Sequence, residues 1–388
     1  MTIRTDEKLL MMPGPVTVPS RVLLAMAKPM INHRGKDFSA MYGEIQSVSA
    51  ELFNTKADNI SVISGSGTAG MEAAIGSLNN KSDKILAIEN GKFGQRFKKL
   101  AGKYGTLVPL EFEWGQSVDL GKVEEALEAG DIKSIAMIHN ESSTAIRNPA
   151  PEIGKLAKKY GAYFILDVVS SLGGDTVLMD EWGVDVAVTG SQKCLAAPPG
   201  LSIAAVSERA AEEMKNITTR PYYLDLLAYR NSANKELKET PYTPAVSLFY
   251  ALQEALRMVK EEGIENRINR HYLMTKAVRD SMTAIGIEMF PTLNQYSAYS
   301  NTVSAMKAPA GVDGEEIKKA LGKRGIVITG GQDHLKGKIF RVGSMGSTTP
   351  LNIMNTMTEL EFVLFTLGIV EATGAVDDFA AEAMKDLY

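Results

Sequence analysis

From residue 59 to residue 206, short apolar runs alternate with stretches of helical period. Residues 59–65, 84–88, 106–110, 134–139, 163–169, 184–188 and 201–206 read as strands. Residues 68–78, 93–104, 118–127 and 151–160 read as helices between them. Several strands, 163–169 above all, are apolar on both faces, as in a parallel sheet covered by helices on either side. Pro109 has no N–H to donate to a ladder, so 106–110 is placed at a sheet edge. The pattern predicts an α/β fold around a mostly parallel sheet. Ligands of such sheets bind beyond the carboxyl ends of the strands. Polar clusters stand at those ends: 64–68, 139–144, 167–171 and 190–193.

The flanks read differently. Residues 9–15 form an apolar strip ending in Pro13-Gly14-Pro15, which no helix interior tolerates, so 1–20 is expected as an irregular arm. Helical patterns follow over 20–28 and 37–53, whereas 209–240 has no clear period. From 245 a helical pattern runs to 262, breaks at Gly263 and resumes to 285. Strand 301–306, helix 314–321, strands 326–328 and 338–342, a long amphipathic helix over 351–367 and a short helix over 377–388 complete the chain. The expected division is an arm over 1–20, a large domain over 21–250 and a smaller α+β domain over 251–388. A chain of 388 residues suits two cores.

Composition narrows the function. A net charge of -4 with no basic block argues against nucleic acid as the main partner. The chain has no apolar run of membrane-spanning length and no charged leader followed by an apolar segment, so no membrane partner and a cytoplasmic location are expected. The single cysteine, Cys194, excludes internal disulfides and a cysteine-rich metal site. His33, His139, His271 and His334 are scattered without ligand spacing, so no metal is expected. Any demanding chemistry points to an organic cofactor.

Candidate chemistry gathers at the strand ends. Lys193 follows an apolar strand and is flanked by small, mostly uncharged residues. It reads either as a loop cation or as a buried amine, neutral enough to form a Schiff base. Ser64-Gly65-Ser66-Gly67-Thr68 between a strand and a helix suits a phosphate cradle. With Gly70 it also has Gly-x-Gly-x-x-Gly spacing, and Glu89 closes the next strand, so a nicotinamide-binding reading competes on this motif. Asp167 ends a hydrophobic strand, either as a local cap or as the partner of a ligand cation. Phe93 heads a helix and either packs in the core or stacks on a flat ring. Arg341, inside an apolar strand, calls for a carboxylate, from a neighbour or from a substrate. Together these are the parts of a pyridoxal-phosphate enzyme acting on amino acids.

The sequence also resembles the class V aminotransferases of the fold-type-I pyridoxal-phosphate enzymes, most closely the alanine–glyoxylate and serine–pyruvate aminotransferases. The resemblance runs from Pro13-Gly14-Pro15 to Arg341-Val342-Gly343. It rests on Ser64-Gly65-Ser66-Gly67, Asn90-Gly91-Lys92-Phe93-Gly94-Gln95-Arg96, His139-Asn140-Glu141-Ser142-Ser143-Thr144, Asp167 to Gly174, and Gly190-Ser191-Gln192-Lys193 with Ala197-Pro198-Pro199-Gly200. It implies a large pyridoxal-phosphate-binding domain with a mostly parallel seven-stranded sheet flanked by helices, plus a smaller C-terminal α+β domain.

The resemblance implies roles as well. Lys193 would be the Schiff-base lysine and proton carrier, and Asp167 the partner of the pyridine nitrogen. Val169 and Phe93 would cover the two ring faces; many relatives carry Trp where Phe93 stands. Ser66, Gly67, Thr68 and Gln192 would hold the phosphate, though some relatives have His where Thr68 stands. Ser142 would sit near the ring hydroxyl or the substrate. Arg341, assisted by the backbone near Gly14, would hold the substrate carboxylate; His33-Arg34 lies in a loop that could reach the active site, also across a dimer interface, and Arg34 is a candidate for a second carboxylate. A homodimer with shared active sites is implied, Tyr242 or Thr243 reaching the other subunit's phosphate. The implied activity is ping-pong transfer of an amino group from alanine or serine to glyoxylate or pyruvate. The alternatives are an aspartate aminotransferase of the same family, a nicotinamide-dependent dehydrogenase, and a non-catalytic accessory subunit. A desulfurase would need a cysteine on a mobile loop, and Cys194 beside Lys193 does not suit that.

Overall fold

The structure, a computed structural model, describes residues 8–387. The first seven residues of the expected arm, and Tyr388 at the end of the expected last helix, lie outside them. A seven-stranded sheet dominates. Its strands are β1 (Ile60–Ser64), β2 (Lys84–Glu89), β3 (Thr106–Glu111), β4 (Ile132–Ile138), β5 (Tyr163–Asp167), β6 (Val186–Gly190) and β7 (Leu201–Val206). They lie in the order β1-β7-β6-β5-β4-β2-β3. Only β7 runs against its neighbours, pairing antiparallel with both β1 and β6. The other pairings are parallel. Pro109 lies in β3, the edge strand, as its missing N–H requires.

The two-residue period of the strands sorts their side chains into two cores. Ile60, Val62, Leu86, Ile88, Ile135, Met137, Phe164 and Leu166 pack with the helices Lys36–Phe53, Ala150–Tyr160 and Val246–Glu262. Their alternates Ile63, Ile85, Ala87, Ala136, Ile138 and Ile165 pack with Gly67–Leu78 and Lys92–Tyr104. The inner strands are therefore apolar on both faces because each face is covered by helices, whereas the edge strand β3 leaves Thr106, Pro109 and Glu111 exposed.

A third core joins the helices Ile264–Ala284, Gly314–Lys323, Pro350–Thr366 and Ala375–Met384. They flank a three-stranded antiparallel sheet of β8 (Val303–Lys307), β9 (Thr329–Gly330) and β10 (Ile339–Gly343), with β10 central. The arm belongs here: Met11 is in this core, and Leu9–Leu10 pairs in parallel with Ile326–Val327. The buried residues of helix Val246–Glu262 belong to the first core, and the chain turns at Gly263, with φ +84°, before the helix Ile264–Ala284.

Local differences have local causes. The strand expected over 163–169 ends at Asp167, because Ser171 and Leu172 donate to the Val168 carbonyl and turn the chain. The segment without clear period holds two short helices, Glu208–Met214 and Leu226–Ala233. Each is started by a side-chain cap rather than by periodicity: Ser207 accepts from Ala210 N, and Asp225 from Leu227 N and Ala228 N. Among the described residues, no helix is long and apolar enough to cross a membrane, and no group of three or more His, Cys, Asp or Glu side chains converges as a metal site would require.

Candidate functional site

The polar strand ends meet in one cavity. Ser66 comes from the turn after β1, and Gly67 and Thr68 from the start of the helix Gly67–Leu78 that it opens. Phe93 and Arg96 come from the start of helix Lys92–Tyr104. Asn140 and Ser142 follow β4, Asp167, Val169 and Ser170 follow β5, and Gln192 and Lys193 follow β6. Parallel register sets this convergence, since Asp167 stands opposite Ile138 on one side and Val188 on the other.

Lys193 enters the cavity partly buried, and its Nζ donates to the Pro13 carbonyl. Burial lowers its ammonium pKa from 10.5 to about 8, against the opposing pull of Asp167. Asp167 is buried, and one of its oxygens accepts from Val169 N at 2.7 Å. Burial raises its pKa from 3.8 to about 7. The site therefore holds an amine that gives up its proton more readily than an exposed lysine and a buried carboxylate that forms no ion pair among the described residues. Two glycines permit the packing. At Gly14, φ +97°, a Cβ would come within 2.5 Å of the Lys193 side chain; at Gly67 it would come within 2.9 Å of Val169.

Glu141 is a structural element of the site that sequence reasoning quoted only as part of a string. Fully buried, it accepts from Phe93 N at 3.0 Å, Gly94 N at 2.8 Å, Ser143 N at 3.2 Å and Ser143 Oγ at 2.5 Å. It thus caps, from another segment, the helix that carries Phe93 and Arg96. Burial pushes its carboxyl pKa up, and the hydrogen bonds from Ser143, Gly94 and Phe93 oppose that. Gly91 is needed there, because a Cβ would fall 2.3 Å from Glu141 Cγ. Glu141→Gln places an NH₂ against these donors and should cost about 1–3 kcal/mol of stability. Denaturant unfolding reads this as a lower midpoint; an unchanged midpoint would show that the cap is dispensable.

Arg341 is buried beside the cavity rather than among its lining residues. Its Nη1 donates to the Ser142 carbonyl at 2.7 Å, and Nη2 and Nε to the Gly330 carbonyl at 2.8 and 3.1 Å. No carboxylate pairs with it among the described residues, and burial lowers its pKa to about 10. Arg34 is not brought to the cavity: it is ion-paired with Glu239 at 2.6 Å. Tyr242 and Thr243 do not line it either; the Tyr242 hydroxyl donates to the Tyr222 carbonyl at 2.5 Å.

Other side chains read from the sequence have settled partners. Glu89 is buried against Trp114 Nε1 at 3.1 Å and ion-paired with Lys98, so it is not open to a ribose, as the nicotinamide reading would need. Cys194 is buried with its thiol pKa pushed up to about 12 by burial, which suits packing and not nucleophilic attack. His139 shares a hydrogen bond with Ser171 Oγ at 3.0 Å, and His271 Nε2 accepts from Gly346 N at 3.0 Å. Arg96 was legible only as spacing: three residues after Phe93 on a helix, it shares that residue's face.

The sequence matches the family model described as Aminotransferase class-V over residues 16–361. An uncharacterised aminotransferase of Methanocaldococcus jannaschii is 46% identical over 372 residues, 95% of each chain. A serine–glyoxylate aminotransferase of Methylorubrum extorquens is 32% identical over 384 residues, 96% of this chain and 95% of its own. The crystal structure of ureidoglycine–glyoxylate aminotransferase from Bacillus subtilis superposes with a TM-score of 0.91 at 31% identity, covering 99% of this chain and 100% of the other.

Proposed function

The chain belongs to the class V aminotransferases, and on that premise we propose that it transfers the amino group of a small amino acid, alanine or serine, to glyoxylate or pyruvate by a ping-pong cycle, with pyridoxal phosphate in the cavity at Lys193. The observation that carries this reading is a lysine amine and a cation-poor buried carboxylate facing one cavity that also has a hydroxyl-lined helix N-terminus.

The residues present fit the cofactor. Asp167 has one oxygen on Val169 N and no other hydrogen-bond donor among the described residues, as suits a carboxylate awaiting a protonated ring nitrogen. Gly67 brings the helix start against Val169 more closely than any side chain would allow. Bound there, pyridoxal phosphate supplies a pyridinium ring that takes up the electron pair left when the substrate's α-proton departs.

The chain supplies the rest. Asp167 holds the proton on the ring nitrogen. Lys193 Nζ, as a neutral amine tethered in the cavity, would take up the α-proton and hold it for return. Phe93 and Val169 hold the ring flat between them. Ser66, Gly67, Thr68 and Gln192 would bind the phosphate, and Ser142 would serve the ring hydroxyl. Arg341 exchanges backbone carbonyls for the substrate carboxylate, a stronger, charge-assisted partner, with Gly14 leaving room beside Lys193.

The reading includes a homodimer in which Tyr242 or Thr243 of each subunit serves the other's phosphate. Both lie off their own cavity, and neighbouring Tyr222 is 85% exposed. Within the chain Arg34 is held by Glu239, which favours donors with one carboxylate over aspartate. The acceptor glyoxylate is named in two of the relatives described above.

A screen of alanine, serine, aspartate and glutamate against glyoxylate, pyruvate and 2-oxoglutarate tests this. Alanine or serine with glyoxylate should turn over fastest; a preference for aspartate would replace the reading with a dicarboxylic one. In the same screen Arg341→Ala should raise KM for donors and acceptors about 10- to 100-fold, the worth of a charge-assisted hydrogen bond. An unchanged KM would assign the carboxylate to another group.

A further inference from the structure

One cation of the cavity has no part in the reading above. Arg96 lines it from helix Lys92–Tyr104, one turn after Phe93. Its Nη1 donates to Thr68 Oγ1 at 2.9 Å, and its guanidinium carbon lies 4.9 Å from the centre of the Phe93 ring. Among the described residues no carboxylate forms an ion pair with it, whereas Lys98, two residues on, is ion-paired with both Glu89 and Glu111. A guanidinium has five N–H donors in a planar fork that matches phosphate or carboxylate oxygens. Thr68 engages one of them, and the others have no hydrogen-bond acceptor among the described residues. An arginine in a cavity with an unfilled fork calls for an anion.

The position of the fork says which anion. Thr68 lies in the first turn of helix Gly67–Leu78, where free backbone N–H groups and the positive end of the helix dipole already favour negative charge. Arg96 is hung from that residue. Arg341, by contrast, is tied to the carbonyls of Ser142 and Gly330, away from the helix start. Two arginines therefore serve two ends of the site.

We propose that Arg96 is the charged contact for the cofactor's phosphate, completing with Thr68 and the helix N-terminus a cradle that backbone and hydroxyl groups alone leave neutral. This rests on the pyridoxal-phosphate reading. It assigns the chain's discrimination between phosphorylated and unphosphorylated cofactor to a residue on a different helix from the cradle.

The test compares pyridoxal phosphate with pyridoxal, titrated spectroscopically into the apoprotein. Arg96→Gln should weaken pyridoxal phosphate binding about 10- to 100-fold, as for loss of a charge-assisted hydrogen bond, and leave pyridoxal binding within about twofold. Equal losses for both ligands, or no loss for either, would overturn the assignment. A second measurement needs no variant: in the wild-type apoprotein, inorganic phosphate should slow modification of Arg96 by phenylglyoxal, followed by peptide mass. An unaffected rate would overturn it too. A wild-type protein that takes up neither ligand would remove the cofactor reading itself, and is thus told apart from a wild type that binds pyridoxal phosphate alongside an Arg96→Gln variant that binds it equally well.

Discussion

Lys193→Ala is expected to lower transamination by about 10⁴-fold without unfolding the protein. The side chain makes one polar contact, to the Pro13 carbonyl, so its removal strands no carboxylate. Burial costs the folded state something for holding this ammonium. With the pKa lowered from 10.5 to about 8, the folded chain binds fewer protons than the unfolded chain between those values. Lysine therefore destabilises most below pH 8, and that cost fades as pH rises toward 10.5. The alanine variant should match or exceed the wild-type apoprotein in thermal midpoint at pH 7, the lost packing of the stem offsetting part of the gain. Chemistry behaves oppositely, since no other amine lines the cavity among the described residues. Borohydride should fix the cofactor to Lys193 in the wild type and fix none in the variant. Near-normal turnover by Lys193→Ala would take the proton-transfer role away from this residue.

What the sequence makes legible follows from the range of the interactions involved. Strand period and the polar residues closing each strand are local, so the sheet, the edge at Pro109 and the joint presence of Thr68, Asp167 and Lys193 in one cavity are readable from short strings. Glu141 and Arg96 are visible as letters, but their meaning is non-local. Glu141 caps a helix that begins almost fifty residues earlier in the chain, and Arg96 matters because Thr68 comes to meet it. Arg34 is a non-local case of another kind. Within its own chain it lies off the cavity and pairs with Glu239, about two hundred residues away in sequence, a partner that no short string around Arg34 announces. The end of β5 is missed for a related reason: Val168 and Val169 have strand composition, but the turn that Ser171 and Leu172 close onto the Val168 carbonyl overrides it.

Asp167→Asn should stabilise the apoprotein and disable the enzyme, and the first effect carries a pH signature. Asp167 ionises near 3.8 when exposed and near 7 in the fold, because burial disfavours the charged form. Between these values the folded state binds more protons than the unfolded state, so stability falls as pH rises through the window, and the loss is complete above pH 7. The shift corresponds to a contribution on the order of 4 kcal/mol. Asparagine has the same shape and keeps the bond from Val169 N through its carbonyl oxygen, yet it cannot ionise. The stability difference between variant and wild type should therefore be near zero at pH 4 and grow to several kcal/mol by pH 8. Parallel curves would mean that Asp167 is already compensated in the apoprotein. Pyridoxal phosphate should narrow the gap, because a protonated ring nitrogen gives the wild-type carboxylate the cation it lacks and gives asparagine nothing. Turnover should drop about 10²- to 10³-fold in the variant, the usual effect of deleting one preorganised electrostatic contact. A residue that weakens the empty fold and is needed by the loaded one is the mark of a functional site.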